Sequence, residues 1–270
     1  MKIKFYLYNT FTLETGHKKI IIDPGANLYR LKFKSLIPKE DWGDFTHIFV
    51  THGDPDHHWY TDKIAAASGA PVICNKNMLQ EVNGKALMLG PRDKGLAFTT
   101  EIDKVHTLRV DETIKVDDMR ITGIKATHGP LTIKFGPFHK TLEPGTGERI
   151  GHGAIGFHIE VGGLRIVNLG DTLLHEKEWQ SIKQPDVLMI PIGGRDAGNT
   201  MDEEDALKAV KIIEPKLVIP CHYDCPAFME KNYNPANDEY FKKEVERMGF
   251  KCEILKKWQS TEVMPQAVYA

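Results

Sequence analysis

Cysteine is scarce in this chain: four in 270 residues, at Cys74, Cys221, Cys225 and Cys252, with no CxxC pair among them. That excludes a disulfide framework and a cysteine-rich zinc module, and the four thiols read as reduced packing residues. No apolar run approaches the ~18 residues of a membrane-spanning helix. The opening MKIKFYLYNTFTLETG lacks the apolar core and cleavage site of a signal peptide, so a cytoplasmic protein with no membrane contact is expected. Charge imbalance is missing too. A formal charge of −2 and a pI near 6.6 give no electrostatic footprint for nucleic acid. There is no GxSxG nucleophile elbow, no low-complexity segment and no evident linker. What is left is a globular chain, 41% hydrophobic, expected to form one domain over residues 1–270.

Hydrophobic patterning places strands first. KIKFYLYN alternates, TFTLETGHKKIIIDPG reads as a hairpin turning at Thr15-Gly16, and HIFVTH is a buried strand. WYTDKIAAASG reads as a helix closed by Gly69, followed by the short strand PVIC. From about Asp103 to Asn168 strands return, interrupted by GPLTIKFGPFHKTLEPGTGERIGHG, a Gly- and Pro-rich stretch without clear periodicity. A loop that long in a compact domain is more often functional than decorative. The last third alternates DVLMIPIGG, a helix from about Asp202 to Ile213, KLVIPCHY, a helix from about Asn237 to Met248, and KCEILKK. Strands followed by strand–helix units, twice over, fit an α/β sandwich: two mixed sheets face to face, helices outside, each half supplying one sheet.

Metal-capable side chains crowd the end of one predicted strand. In HIFVTHGDPDHHW, His52, Asp54 and Asp56 fall at i, i+2 and i+4, and a turn at Pro55 can bring His57 round. His128 follows MRITGIKAT, Asp171 follows LRIVNLG and His222 follows KLVIPC, each just after an apolar run. Seven His and Asp ligands suit a pair of divalent ions, since one site needs only three or four.

With these residues in place, the sequence resembles the metallo-β-lactamase superfamily, whose first motif is HxHxDH; here it reads His52-Gly53-Asp54-Pro55-Asp56-His57. LETGHKKIIIDPG resembles that family's opening hairpin. PDVLMIPIGG with TMDEEDALKAVKIIEPKLVIPCHY is similar to its branch of metal-dependent hydrolases that includes L-ascorbate-6-phosphate lactonase. The resemblance implies that His52, Asp54 and His128 hold one metal, that Asp56, His57 and His222 hold the other, and that Asp171 bridges. Asp54 departs from the pattern, because it stands at the usual second-histidine position. It could ligate, hydrogen-bond a ligand histidine, or merely start the turn before Pro55.

Plainer readings stand beside these. Asp56 could cap the following helix. His58 reads as an orienting or surface residue, and Thr200 with Glu203 as a capping box. His139, Arg149 and His152 lie in or beside the long loop and could receive an anionic substrate, although Arg149 equally fits a surface ion pair. Tyr223 could donate to a developing oxyanion or make a structural hydrogen bond.

The expected protein is a dinuclear metal-dependent hydrolase of a small-molecule lactone or ester. Zinc, manganese or iron would hold a bridging hydroxide, with Asp56 or Asp171 taking the proton. A phosphodiesterase or nuclease is the alternative on the same site. A diiron redox protein and a non-catalytic metal binder are alternatives of another class, and a homo-oligomer stays open.

Overall fold

The computed structural model describes residues 1–265 apart from 83–84, 94–95, 136–137 and 145–149. Two seven-stranded sheets face each other. The first holds β1 (Lys2–Leu7), β2 (Thr10–Thr15), β3 (Lys18–Ile22), β4 (His47–Val50), β5 (Val72–Asn75) and β6 (Val105–Leu108) in sequential order. Its β1–β3 part is antiparallel and its β3–β6 part parallel. The second holds β7 (Thr113–Val116), β8 (Met119–Lys125), β9 (Ile155–Val161), β10 (Leu164–Asn168), β11 (Val187–Pro191), β12 (Leu217–Cys221) and β13 (Lys251–Cys252). It repeats the plan, antiparallel up to β10 and parallel beyond.

One expectation needs correcting: the halves are not strictly separate, because Ser260–Glu262 returns to pair with β1 in the first sheet.

The inner faces share a core. Phe11, Ile20 and Phe49 meet Phe157, Ile159 and Met189 there, with the Phe49 and Phe157 rings 5.2 Å apart and nearly perpendicular. The parallel strands are buried on both sides, which is why HIFV, VICN and VLMIP are mostly apolar and buried without alternation. After β4 the chain makes one turn, α1 (Pro55–His58), and then α2 (Thr61–Ser68), closed by Gly69 in the left-handed region. Ile64 of α2 packs on the outer face of the first sheet.

The single turn α3 (Gly194–Ala197) precedes α4 (Glu203–Ile213), and α5 (Asp238–Arg247) follows β12. Ala206, Ala209, Val210 and Ile213 recur at helical spacing and put the apolar stripe of α4 on the second sheet, beside Phe241 and Val245 of α5.

Two local readings are overturned. Asp202, not Thr200, caps α4, accepting from Asp205 N at 2.9 Å. Glu203 is instead buried, taking Asn237 N at 2.8 Å and lying 3.1 Å from Arg195 Nη2. The stretch after Gly129 is not simply a loop: Leu131–Phe135 and Phe138–Leu142 form a hairpin, with the Thr132 and Thr141 hydroxyls 3.1 Å apart. The Gly-Pro punctuation on both sides hid a short alternation of Leu131, Ile133 and Phe135.

Candidate metal centre

Every metal-capable residue of the motif leaves a strand at the same end of the sandwich. His52, Asp54, Asp56 and His57 follow β4, His128 follows β8, Asp171 follows β10 and His222 follows β12. Such strand ends are where α/β sheets gather ligands.

Two triads come together, His52–Asp54–His128 and Asp56–His57–His222, and Asp171 joins His52 and His57 in a third overlapping group; within each group the ligand atoms lie within 4.8 Å of one another. Asp54 Oδ2 is 3.5 Å from His52 Nε2 and 3.4 Å from His128 Nε2. Asp56 Oδ2 is 3.5 Å from His57 Nε2 and 3.6 Å from His222 Nε2. Asp171 Oδ2 sits between the triads, 3.5 Å from His57 Nε2, 3.7 Å from His128 Nε2 and 2.8 Å from His222 Nε2.

The donor set fits divalent cations on an independent observation. The Nε2 atoms of His52, His57 and His222 and Oδ1 of Asp171 are buried with no hydrogen-bond partner. The close His222–Asp171 approach is therefore not a well-directed hydrogen bond. Buried polar atoms are rarely orphaned, and here four of them belong to residues of one cluster.

The opposite ring nitrogens hold the imidazoles in place. His57 Nδ1 donates to Asp23 Oδ2 at 2.7 Å, His128 Nδ1 to Gly129 O at 2.7 Å, and His52 Nδ1 lies 3.0 Å from the Thr51 hydroxyl. A proton on Nδ1 leaves Nε2 free to ligate. His222 is the exception. Asn234 donates to the His222 carbonyl and accepts from Cys225 N at 3.0 Å, which turns its amide NH2 towards His222 Nδ1 at 3.1 Å.

Asp54 is clamped from behind. Gly151 N donates to its Oδ1 at 2.8 Å, leaving Oδ2 for the imidazoles. A Cβ on Gly151 would lie 2.1 Å from His128 Cβ, and one on Gly25 would lie 1.5 Å from the Asp56 carbonyl oxygen, so both backbones press directly on the centre.

Burial alone would raise the carboxyl pKa values, but His57 and His222 hold Asp56, and His222 and His57 hold Asp171, well below the usual range. His52 and His128 lower Asp54 against the opposing effect of its burial. All three carboxylates are thus ionised at neutral pH, as metal ligation requires. Burial lowers His57 and His222, yet the facing carboxylates outweigh it, raising His57 well above its ordinary value and His222 to about 9. His128 goes the other way: burial lowers it and Asp54 only partly compensates.

The remaining sequence expectations fare differently. Tyr223 follows His222, which lies just past β12 in the left-handed region with φ of 52°, and its side chain faces away from the centre. Its hydroxyl donates to Asp238 Oδ2 at 3.1 Å and it packs among the residues under α4 and α5, so it is not an oxyanion donor. His58 is buried, not on the surface, with Nδ1 3.0 Å from the Asp54 carbonyl. His152 is buried beside a second cavity behind His128, and its carbonyl accepts from Gly53 N at 2.9 Å. His139 is exposed on the hairpin. Arg149 lies outside the described residues.

Sequence reasoning missed Asp23, read as a turn residue in IIIDPG although a carboxylate after three buried isoleucines was a signal. It also missed Asn199 and Asn234, which carry no local signal.

The chain matches the model of the beta-lactamase superfamily domain over residues 2–222. It is 32% identical to a UPF0173 metal-dependent hydrolase of Carboxydothermus hydrogenoformans, covering 83% of this chain and 85% of that protein. To one of Alkaliphilus metalliredigens it is 28% identical, covering 91% and 93%. Among solved structures it is similar to Igni18, a metallo hydrolase of Ignicoccus hospitalis, with a TM-score of 0.68 at 22% identity, covering 97% of this chain and 99% of that one; this likeness supports the fold. The chain belongs to the beta-lactamase superfamily and, within it, to the UPF0173 family of metal-dependent hydrolases.

Proposed function

We propose that this metal-dependent hydrolase holds two divalent ions and acts on a small lactone or carboxylic ester. The carrying observation is the position of Asp171 Oδ2, within 4 Å of imidazoles from both triads. His52, Asp54 and His128 would hold one ion, Asp56, His57 and His222 the other, and Asp171 would span them. When bound, the ions supply an acidified water and polarise an oxygen at the reacting centre. The protein's own part is to fix the imidazoles through Asp23 and Gly129, to fix Asp54 through Gly151 N, and to offer Asp56 or Asp171 as proton acceptor. A thiol nucleophile is disfavoured: burial pushes Cys221 and Cys225 well above their ordinary values, which keeps them protonated.

Asp54 bears on which ions are held. With three carboxylates the centre is less positive than one with a neutral imidazole at that position, and hard oxygen donors suit manganese or iron better than an imidazole-rich set does. Manganese or iron is therefore expected to bind at least as readily as zinc, and Asp54→His to shift preference towards zinc.

The test is metal analysis of the purified protein, then reconstitution of metal-free wild type and Asp54→His with equimolar zinc, manganese and iron. Loaded protein is screened on lactones, esters and phosphodiesters. Two ions per chain with turnover of a lactone or ester is the expected result. A single ion, or turnover of phosphodiesters alone, overturns the reading. Identical metal choice by both proteins removes Asp54 from the ligand set.

A further inference from the structure

The cleft over Asp54, Asp56, His128, Asp171 and His222 has an apolar far wall, built by Leu28, Leu131, Ala227 and Phe228 with the rings of Tyr8 and Tyr233. Both tyrosine hydroxyls are spent on the backbone. Tyr8 donates to the Pro226 carbonyl at 2.5 Å and accepts from Leu28 N at 3.1 Å, while Tyr233 donates to the Thr132 carbonyl. Among the described residues no lysine or arginine lines this cleft. Two amides complete it. That of Asn234 is engaged by His222 and Cys225, as described above. Asn199 is different: it is 4% exposed, and its side-chain oxygen is buried without a partner. Its backbone is tied to the segment after His128. The Asn199 carbonyl accepts from Gly129 N at 2.7 Å, and a Cβ on Gly129 would lie 2.1 Å from the Gly198 carbonyl oxygen, so the two segments are in direct contact.

An acceptor that is buried and unpaired beside a reaction centre leaves a desolvation cost that a ligand donor would remove. An apolar wall rewards alkyl or aryl surface. It penalises a charged group placed against it, which would shed water and meet no lysine or arginine among the described residues. We propose that this cleft selects a neutral substrate with an apolar body, and that Asn199 accepts from an N–H or O–H group carried on the carbon beside the scissile carbonyl. The proposal rests on the hydrolase reading above and adds the substrate class. It departs from the anionic substrate expected from the loop histidines and Arg149.

Hydrolysis-resistant lactams test it, because they bind without turnover. Calorimetry on the metal-loaded protein would compare lactams whose carbon beside the carbonyl bears an acylamino group with a propyl to heptyl chain, the heptyl ligand ending in phosphate, and the heptyl ligand methylated on its acylamino nitrogen. Affinity is expected to rise about fourfold for each added methylene. The phosphate-ended ligand should bind at least about tenfold more weakly than its neutral parent, and N-methylation should cost about tenfold. In Asn199→Leu, with metal content unchanged, the N–H and N-methyl lactams should bind equally, which a merely structural role would not produce. A flat chain-length series, tighter binding of the phosphate-ended ligand, or full N-methyl discrimination by the variant each overturns the proposal. If Asn199→Leu does not fold, the chain series and the phosphate comparison on wild type still decide it. The expected lactam pattern without turnover of any matching lactone would leave this inference standing and remove the hydrolytic reading of the site.

Discussion

Asp23 shows how much of a metal centre rests on a residue that touches no metal. Fully buried, its carboxylate accepts from Asn9 Nδ2 at 2.6 Å, Thr51 N at 2.7 Å, Thr51 Oγ1 at 2.6 Å and His57 Nδ1 at 2.7 Å. It therefore ties the ends of β3 and β4 to one imidazole and fixes that ring's tautomer. Asp23→Asn keeps the shape but must turn an NH2 towards at least one of these donors. Leaving a buried donor unpaired costs about 1–3 kcal/mol. Losing the partner of a ligand histidine typically weakens metal binding about 10–100-fold. Competition titration against a chelator, with a melting curve beside it, checks both. Unchanged metal affinity in a destabilised variant would make Asp23 a purely structural residue.

At the scale of elements, the connections place the ligands and the strands aim them. Gly151 lies in the segment returning to β9, with φ of 61°, where it both donates to Asp54 and abuts His128. Gly151→Ala must move that segment, at about 1–3 kcal/mol for the strained backbone, and should weaken binding at the His52–Asp54–His128 triad. Gly16, in the β2–β3 turn, is the matched control: its φ is 56° and an added Cβ meets nothing within 4 Å. Gly16→Ala should cost only the left-handed penalty of about 1–2 kcal/mol and leave metal affinity untouched. Thermal unfolding and metal titration of the two variants side by side would separate conformational strain from damage to the site. Equal metal affinity in both would mean that the Gly151 contact is dispensable.

For the whole molecule, pH acts through histidines far from the centre as well as those in it. Burial lowers the pKa of His158, the nearby Glu160 only partly opposing it, and burial likewise lowers His175 and His47. A depressed folded-state pKa means that the unfolded chain takes up protons first. The stability such a histidine contributes is complete above its unfolded value of about 6.5 and is lost as pH falls towards the folded value. His57 and His222 carry the opposite sign: their pKa values are raised, so their contribution in metal-free protein is complete below about 6.5 and fades as pH rises through the folded value. A difference measurement isolates the first group. The stability gap between wild type and His158→Gln should narrow between about pH 7.5 and 5.5. Denaturant unfolding in chelator at several pH values measures it, and a gap constant with pH would refute the burial argument for His158.

Local chemistry determined much of this protein without any fold in view. The uninterrupted apolar runs of β4, β11 and β12 read as buried strands because parallel strands are covered on both faces, and the 3.6-residue spacing of α4 reads as a helix lying on a sheet. The ligand types were legible because His52, Asp54, Asp56 and His57 lie within six residues, while His128, Asp171 and His222 each end an apolar run. Tertiary structure alone decided the rest. That His222 faces the cleft while Tyr223 faces α5 depends on the left-handed turn of the backbone at His222, just past β12. Asp23 supports His57, Gly151 clamps Asp54 and Asn199 enters the cleft through contacts between segments far apart in the chain. Periodicity reports only which face a residue shares with neighbours two to four positions away. Convergence of distant side chains is set by sheet register and by how closely two backbones approach, and neither leaves a trace in the order of the residues.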